Sequence, residues 1–171
     1  MTPGVDVTVE FLSEATEVAA RLAAEPGAVG VLPQPYVTVL QGKDPSIRSA
    51  LSLTQEWDAV SPDAPLVTGV VVVRQSFAAA HPDAFARFLA DYQASTKFTN
   101  ENPSDAAPLI VAAGIAPAEP VAVAAIPRCN IVYLDGEDLR VALDAYLGVL
   151  FAADPAAVGG SVPGDDFYYG G

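Results

Sequence analysis

The side chains best suited to nucleophilic or acid–base catalysis do not lie in patterns typical of an enzyme. The one histidine, His81, stands at a predicted helix start, where polar surface residues are common. The one cysteine, Cys129, has no histidine near it in the sequence, and its apolar flanks predict a buried, unreactive thiol. Gly-x-Ser-x-Gly, His-Glu-x-x-His and phosphate-binding glycine loops are absent from the sequence. The residues therefore predict no catalytic group, no metal site and no cofactor.

Polar side chains follow the first two predicted strands, and ligands of open α/β sheets bind at such strand ends. Ser13, Glu14 and Thr16 come after the first strand, and Gln34 and Tyr36 come after the second. Because both loops leave the same ends of adjacent parallel strands, we expect these side chains to cluster on one concave surface. Ser13 could equally be a plain helix cap, and Tyr36 could be a rim or core aromatic residue.

Arg128 and Asn130 complete the predicted ligand-binding set. Arg128 is one of only eight cations in the chain, so it could pair with an anionic ligand or tie down a loop carboxylate. Trp57, the single tryptophan, is more typical of packing than of ligand stacking.

The charge balance excludes several classes of partner. Twenty-one acidic residues against eight basic ones give a net charge of −13, which repels phosphate backbones and anionic lipid headgroups. Residues 106–127 carry one charge and are long enough to cross a bilayer, but their four prolines and one glycine would break a lone helix. We therefore expect a soluble chain with two short helices in that stretch, and no nucleic acid partner.

Hydrophobic periodicity predicts an α/β chain. Alternating or continuous β-branched runs indicate strands, and helical spacing of apolar residues indicates helices. The predicted strands are 7–12, 28–32 and 66–74, with an extended segment at 130–134. Helices are predicted after Ser13, around 51–60, from Pro82 to Asn102, toward Gly114 and after Asp135. The first strand, helix and second strand should close as a right-handed parallel crossover.

Five strings in order resemble one protein family. They are SEATEVA at 13–19, LPQPYVTV at 32–39, VVVVRQSFAAAHPDAFARFL at 70–89, AIPRCNIVYLDG at 125–136 and GGSVPGDDFYY at 159–169. Together they are similar to the second half of ABC-transporter solute-binding proteins of the nitrate/sulfonate/taurine type. The resemblance runs from about Val5 to Tyr169.

The resemblance implies a fold, a division into domains and a function. The fold would be periplasmic-binding-protein-like (type 2), with a mainly parallel sheet flanked by helices, present as an incomplete C-terminal half. Residues 1–35 would belong to the second lobe, and residues 36–171 would be the crossing segment and the return into the first lobe. The function would be extracytoplasmic solute binding for an ABC permease by hinge closure of two lobes. The full-length protein would then be periplasmic or a cell-surface lipoprotein.

Two other functions and one assembly state follow from the same sequence. A ligand sensor or regulator on this fold, or an enzyme resembling those of thiamine-pyrimidine biosynthesis, is an alternative to the solute-binding protein. The nearly continuous apolar strands 28–32 and 66–73 need sheet neighbours that this chain does not obviously supply. We therefore expect self-association, as a two-fold homodimer.

Overall fold

The computed structural model describes Thr2 and residues 4–170, and the elements that it contains are helical. Eight α-helices follow one another along this part of the chain: α1 Ala15–Ala24, α2 Tyr36–Lys43, α3 Leu53–Val60, α4 Gln75–Ala80, α5 Pro82–Glu101, α6 Pro103–Ala112, α7 Glu119–Ala125 and α8 Gly136–Ala153. Three short 3₁₀ helices lie at Ile126–Arg128, Pro155–Val158 and Asp165–Phe167.

The predicted α/β, periplasmic-binding-protein-like fold is wrong, because the described residues contain no sheet. Segments 28–32, 66–74 and 130–134 are neither helix nor strand, and the only trace of pairing in 7–12 is an isolated bridge at Val7. A strand is stabilised by hydrogen bonds to a neighbouring strand, so β-branched sequence alone does not create one. Without a sheet there is no parallel crossover, and the α/β lobes expected to close over a solute are not formed.

The predicted helices are confirmed, because their signals are local. α1 ends before Pro26-Gly27, α5 begins at Pro82 and ends before Asn102, and α8 follows the Asp135 cap. Two short helices, α6 and α7, do occupy the apolar stretch that could be mistaken for a membrane span. Among the described helices, none is long and apolar enough to cross a membrane.

The chain divides into two compact units. Unit 1 comprises the residues up to Ser49 together with Lys97–Ile131, and unit 2 comprises Ala50–Thr96 together with the residues from Val132 onward. The core of unit 1 lies between α6 and α7, where Ala107, Ala116 and Ala122 are buried and partly buried Ile110, Val111 and Val123 pack against them. Small alanines allow the two helices to approach closely, but they bury little apolar area each.

The C-terminal tail of unit 2 is fixed to three of its helices. The Tyr168 hydroxyl donates to the Asp144 carboxylate on α8, at 2.5 Å. The Tyr169 ring meets Phe85 of α5 edge-on, with ring centroids 4.6 Å apart. Gln75, at the start of α4, donates from Nε2 to the carbonyl of Asp166 at 3.2 Å. These contacts hold the tail against α4, α5 and α8, although its own sequence is rich in glycine, proline and aspartate.

Tyr168 is expected to ionise at a higher pH than an ordinary tyrosine. Burial raises its pKa to about 12, and the hydrogen bond to Asp144 acts in the same direction. Because this value lies above the ordinary tyrosine pKa of about 10, the contact stabilises unit 2 below pH 10 and is lost as the pH rises through 12.

Ultraviolet absorbance against pH, compared with the Tyr168→Phe variant, isolates the titration of this one phenol. Asp144→Asn should move it toward pH 10, whereas Asp138→Asn on the same helix should not. Ionisation of Tyr168 at the ordinary tyrosine pKa of about 10 would contradict the contact.

Candidate functional site

A groove of about 630 Å³ lies within unit 1 and is formed by α1, α2 and the loop that joins α6 to α7. From α1 it is lined by Thr16, Ala19, Ala20 and Ala23, and from α2 by Tyr36, Val39, Leu40 and Lys43, preceded by Pro35. Residues 114–117 form the rest of the lining. The spacings i, i+3, i+4 and i+7 place one face of each helix on the groove.

The sequence of α1 explains why the groove has room for a ligand. Three of its four lining residues are alanine, so the helix contributes methyl groups where longer side chains would fill the space. The start of α1 is fixed by Glu17, whose carboxylate accepts from the backbone N–H groups of Ser13 and Glu14 at 3.1 and 3.4 Å. The N-cap is Glu14, so the prediction that Ser13 caps this helix is wrong.

A helix C-terminal motif positions the loop that forms the third wall. Gly114 has a φ of +73°, a left-handed conformation that favours glycine. Its N–H donates to the carbonyl of Val111 at 2.9 Å, and the N–H of Ile115 donates to that of Ile110 at 3.1 Å. This pair of bonds is the Schellman motif, which ends α6 and turns the chain toward α2.

Lys43 is the one cation among the lining residues, and the groups around it leave its charge available. No ion pair joins it to any residue of the described chain. The neighbouring Asp44 carboxylate instead accepts from the Ser46 hydroxyl at 2.6 Å and from the Ser46 N–H at 2.9 Å. These two bonds lower the pKa of Asp44, and through them its carboxylate interacts with Ser46 rather than with Lys43.

The structure brings two of the predicted binding residues together at this groove. Thr16 and Tyr36 both line it, from α1 and α2. Gln34 lies just before α2 and is not a lining residue, because its Oε1 accepts from the Thr38 hydroxyl at 2.7 Å. Ser13 and Glu14 also lie outside the lining, at the start of α1.

The other two predicted residues belong to unit 1 but not to the groove. Arg128 ends the 3₁₀ helix Ile126–Arg128 and is exposed. Asn130 follows two residues later with a φ of +50° and is also exposed. Neither lines the groove, so their predicted part in binding stays a prediction.

Sequence reasoning missed Lys43, the apolar face of α2 and the loop 114–117. The segment after Pro35 reads as an extended crossing because of its prolines, yet residues 36, 39, 40 and 43 already follow helical spacing. That spacing was the available signal for α2. The loop 114–117 is distant in sequence, and no local signal connects it with α1.

The residues considered for catalysis lie outside the groove. His81 is exposed between α4 and α5 in unit 2, with its ring centroid 5.0 Å from that of Phe77. Cys129 is exposed, so its predicted burial is wrong, although its Sγ donates to the Ala125 carbonyl at 3.2 Å. Local desolvation around the sulfur raises the pKa of Cys129, and its low reactivity stays a prediction. Within the described residues, no cluster of histidine, cysteine and carboxylate side chains could hold a metal ion.

The chain matches no protein-family model, no curated protein and no solved structure.

Proposed function

We propose that this chain is a non-enzymatic binding component that holds a short organic anion, of the alkanesulfonate class, in the groove of unit 1. The observation that carries the proposal is a single unpaired cation, Lys43, in a groove whose other lining is largely apolar. An apolar wall with a few polar groups that fix orientation is the usual form of a small-molecule site. An alkyl chain would lie along the alanine face of α1, with its sulfonate at Lys43.

Two hydroxyl groups complete the recognition that we propose. Thr16 and Tyr36 also line the groove, and each can donate to a sulfonate oxygen. The net charge of −13 disfavours an anion at long range. At physiological salt, the repulsion from distant carboxylates is screened beyond about 8 Å. Whether an anion binds therefore depends on the groups that line the groove.

The biological role that we propose is delivery of this solute to an importer. Its support is the resemblance of five ordered strings to solute-binding proteins of the nitrate/sulfonate/taurine type. The binding component would act outside the cytoplasm and would contact an ABC permease. The groove within unit 1 takes the place of the cleft between α/β lobes that the sequence predicted.

Calorimetric titration with hexane-1-sulfonate tests the binding. Lys43→Gln should weaken the affinity roughly two- to fivefold, because Lys43 is exposed and the contact that it removes is screened by solvent. Lys97→Gln makes the same charge change on α5, away from the groove, and should leave the affinity unchanged. Hexan-1-ol, with the same tail and no charge, should bind more weakly than the sulfonate.

Two results would contradict the proposed site. One is no binding of hexane-1-sulfonate to the unmodified chain at millimolar concentration. The other is an equal loss of affinity in the Lys43 and Lys97 variants, which would mean that the anion responds to net charge rather than to the groove.

A further inference from the structure

An uncharged, strand-type segment of unit 2 is left without a partner. Leu66–Val73 has the sequence LVTGVVVV, with six β-branched residues out of eight, and neither helix nor strand is formed there. No backbone–backbone hydrogen bond of the described chain involves these residues. Such a row of free N–H and C=O groups is a template for pairing with another strand.

The middle of this segment exposes its side chains, whereas Leu66, Val67 and Val73 near its ends are partly buried. Val72 is 79% exposed, and Val70 and Val71 are each 47% exposed. Successive residues of a strand point to opposite faces, so this run leaves both faces uncovered. By contrast, one side of segment 28–32 is already covered by α1, where a Cβ at Gly30 would come within 2.9 Å of the Leu22 side chain.

We propose that Leu66–Val73 pairs with the same segment of a second copy, antiparallel across a two-fold axis, with Val70 opposite Val70 of the partner subunit. A two-fold axis perpendicular to an antiparallel pair requires one residue to face its own copy. Two registers, centred on Gly69 or on Val70, overlap equally within the segment, but only the Val70 register pairs Leu66 with Arg74 and leaves Pro65, which has no N–H, outside the ribbon. The result is a closed, isologous interface.

Charge favours a second copy at this segment although the chain as a whole is acidic. No charged residue lies within 66–73, and the next charge along the chain is Arg74. The two Arg74 side chains would lie eight residues apart along the ribbon, roughly 27 Å, well beyond the Debye length. Exposed Val60 and Phe77, on either side of the segment in sequence, would add apolar burial to a two-stranded ribbon that is marginal by itself.

Sedimentation and single-cysteine cross-linking test the pairing and its register. The chain should sediment as a dimer, and all cysteine variants are made in a Cys129→Ser background. Under mild oxidation Val70→Cys should form an intersubunit disulfide, because directly opposite Cβ atoms lie about 5 Å apart. Val72→Cys should not, because four residues of offset separate the two sulfurs by roughly 13 Å.

A charge placed in the segment gives a second, independent test. Val70→Lys should raise the dimer dissociation constant at least tenfold and halve the sedimenting mass at micromolar concentration. Val141→Lys, at an exposed position of α8, makes the same change in net charge and should leave the dimer intact. Both substitutions reduce the negative charge, so general repulsion cannot explain a loss of dimer in the first alone.

Four results would overturn the proposal. These are a monomer at high micromolar concentration, a dimer that Val70→Cys fails to cross-link, equal cross-linking of the Val70 and Val72 variants, and a ladder of higher oligomers in place of a closed dimer.

Discussion

Replacing Phe85 with alanine is expected to lower the free energy of unfolding by about 3 kcal/mol, because it removes a large side chain from the centre of unit 2. Phe85 is only 6% exposed, and its ring contacts both Phe88 and Tyr169. The substitution would leave a cavity and would release the C-terminal tail from α5. Urea unfolding followed by fluorescence of Trp57 measures the change, since the only tryptophan lies in the same unit.

Phe88→Ala is the matched control for this prediction. Phe88 lies one turn further along α5 and is 45% exposed, so its truncation should cost about 1 kcal/mol or less. Chain concentration is held constant, because dimerisation would add to the apparent stability. Equal losses for the two variants would contradict the placement of Phe85 in the core.

Ala20→Phe is expected to abolish binding of hexane-1-sulfonate. Ala20 is in the middle of the α1 face that lines the groove, and a benzyl group there would occupy the space proposed for the alkyl chain. Ala24→Phe, on the same helix but outside the lining, adds the same side chain and should leave binding unchanged. Calorimetry measures both affinities, and circular dichroism shows whether the helix content is kept.

Unchanged binding in Ala20→Phe would place the ligand elsewhere. An equal loss in Ala24→Phe would show that the helix, rather than the space in the groove, had been disturbed.

The helices could be predicted from the sequence because their determinants are local. Pro82 at the start of α5 and Pro26-Gly27 after α1 act within one turn of the residues that they affect. The helix α2 was missed because Pro33 and Pro35 were read as an extended chain, although proline is compatible with the residues that precede or open a helix.

The absence of a sheet from the described residues could not be foreseen, because whether a strand forms depends on distant partners. The runs at 28–32 and 66–73 have strand composition, yet they belong to different units and neither forms a strand. β-propensity describes how well a segment fits a sheet that already exists. It therefore predicted strands at positions where no sheet is available to accept them. The same composition remains informative as a sign of surface that is available for pairing.

Some residues of the candidate site could be predicted from the sequence, and others could not. Thr16 and Tyr36 were predicted from the ends of two strands that the described residues do not form, yet both line the groove from α1 and α2. Lys43 lies seven residues beyond Tyr36 on a helix that was not foreseen, and residues 114–117 reach the groove through the Schellman turn after α6. Tertiary packing decides such neighbours, and local sequence patterns do not report it.

Nitrogen–proton correlation spectra of the labelled chain, recorded during titration with hexane-1-sulfonate, show which residues the ligand contacts. We expect the largest shift changes on the backbone amides of α1, α2 and residues 114–117, and we expect them to saturate with one affinity. Shift changes centred in unit 2 or around Arg128, or no changes at millimolar sulfonate, would contradict the groove as the binding site.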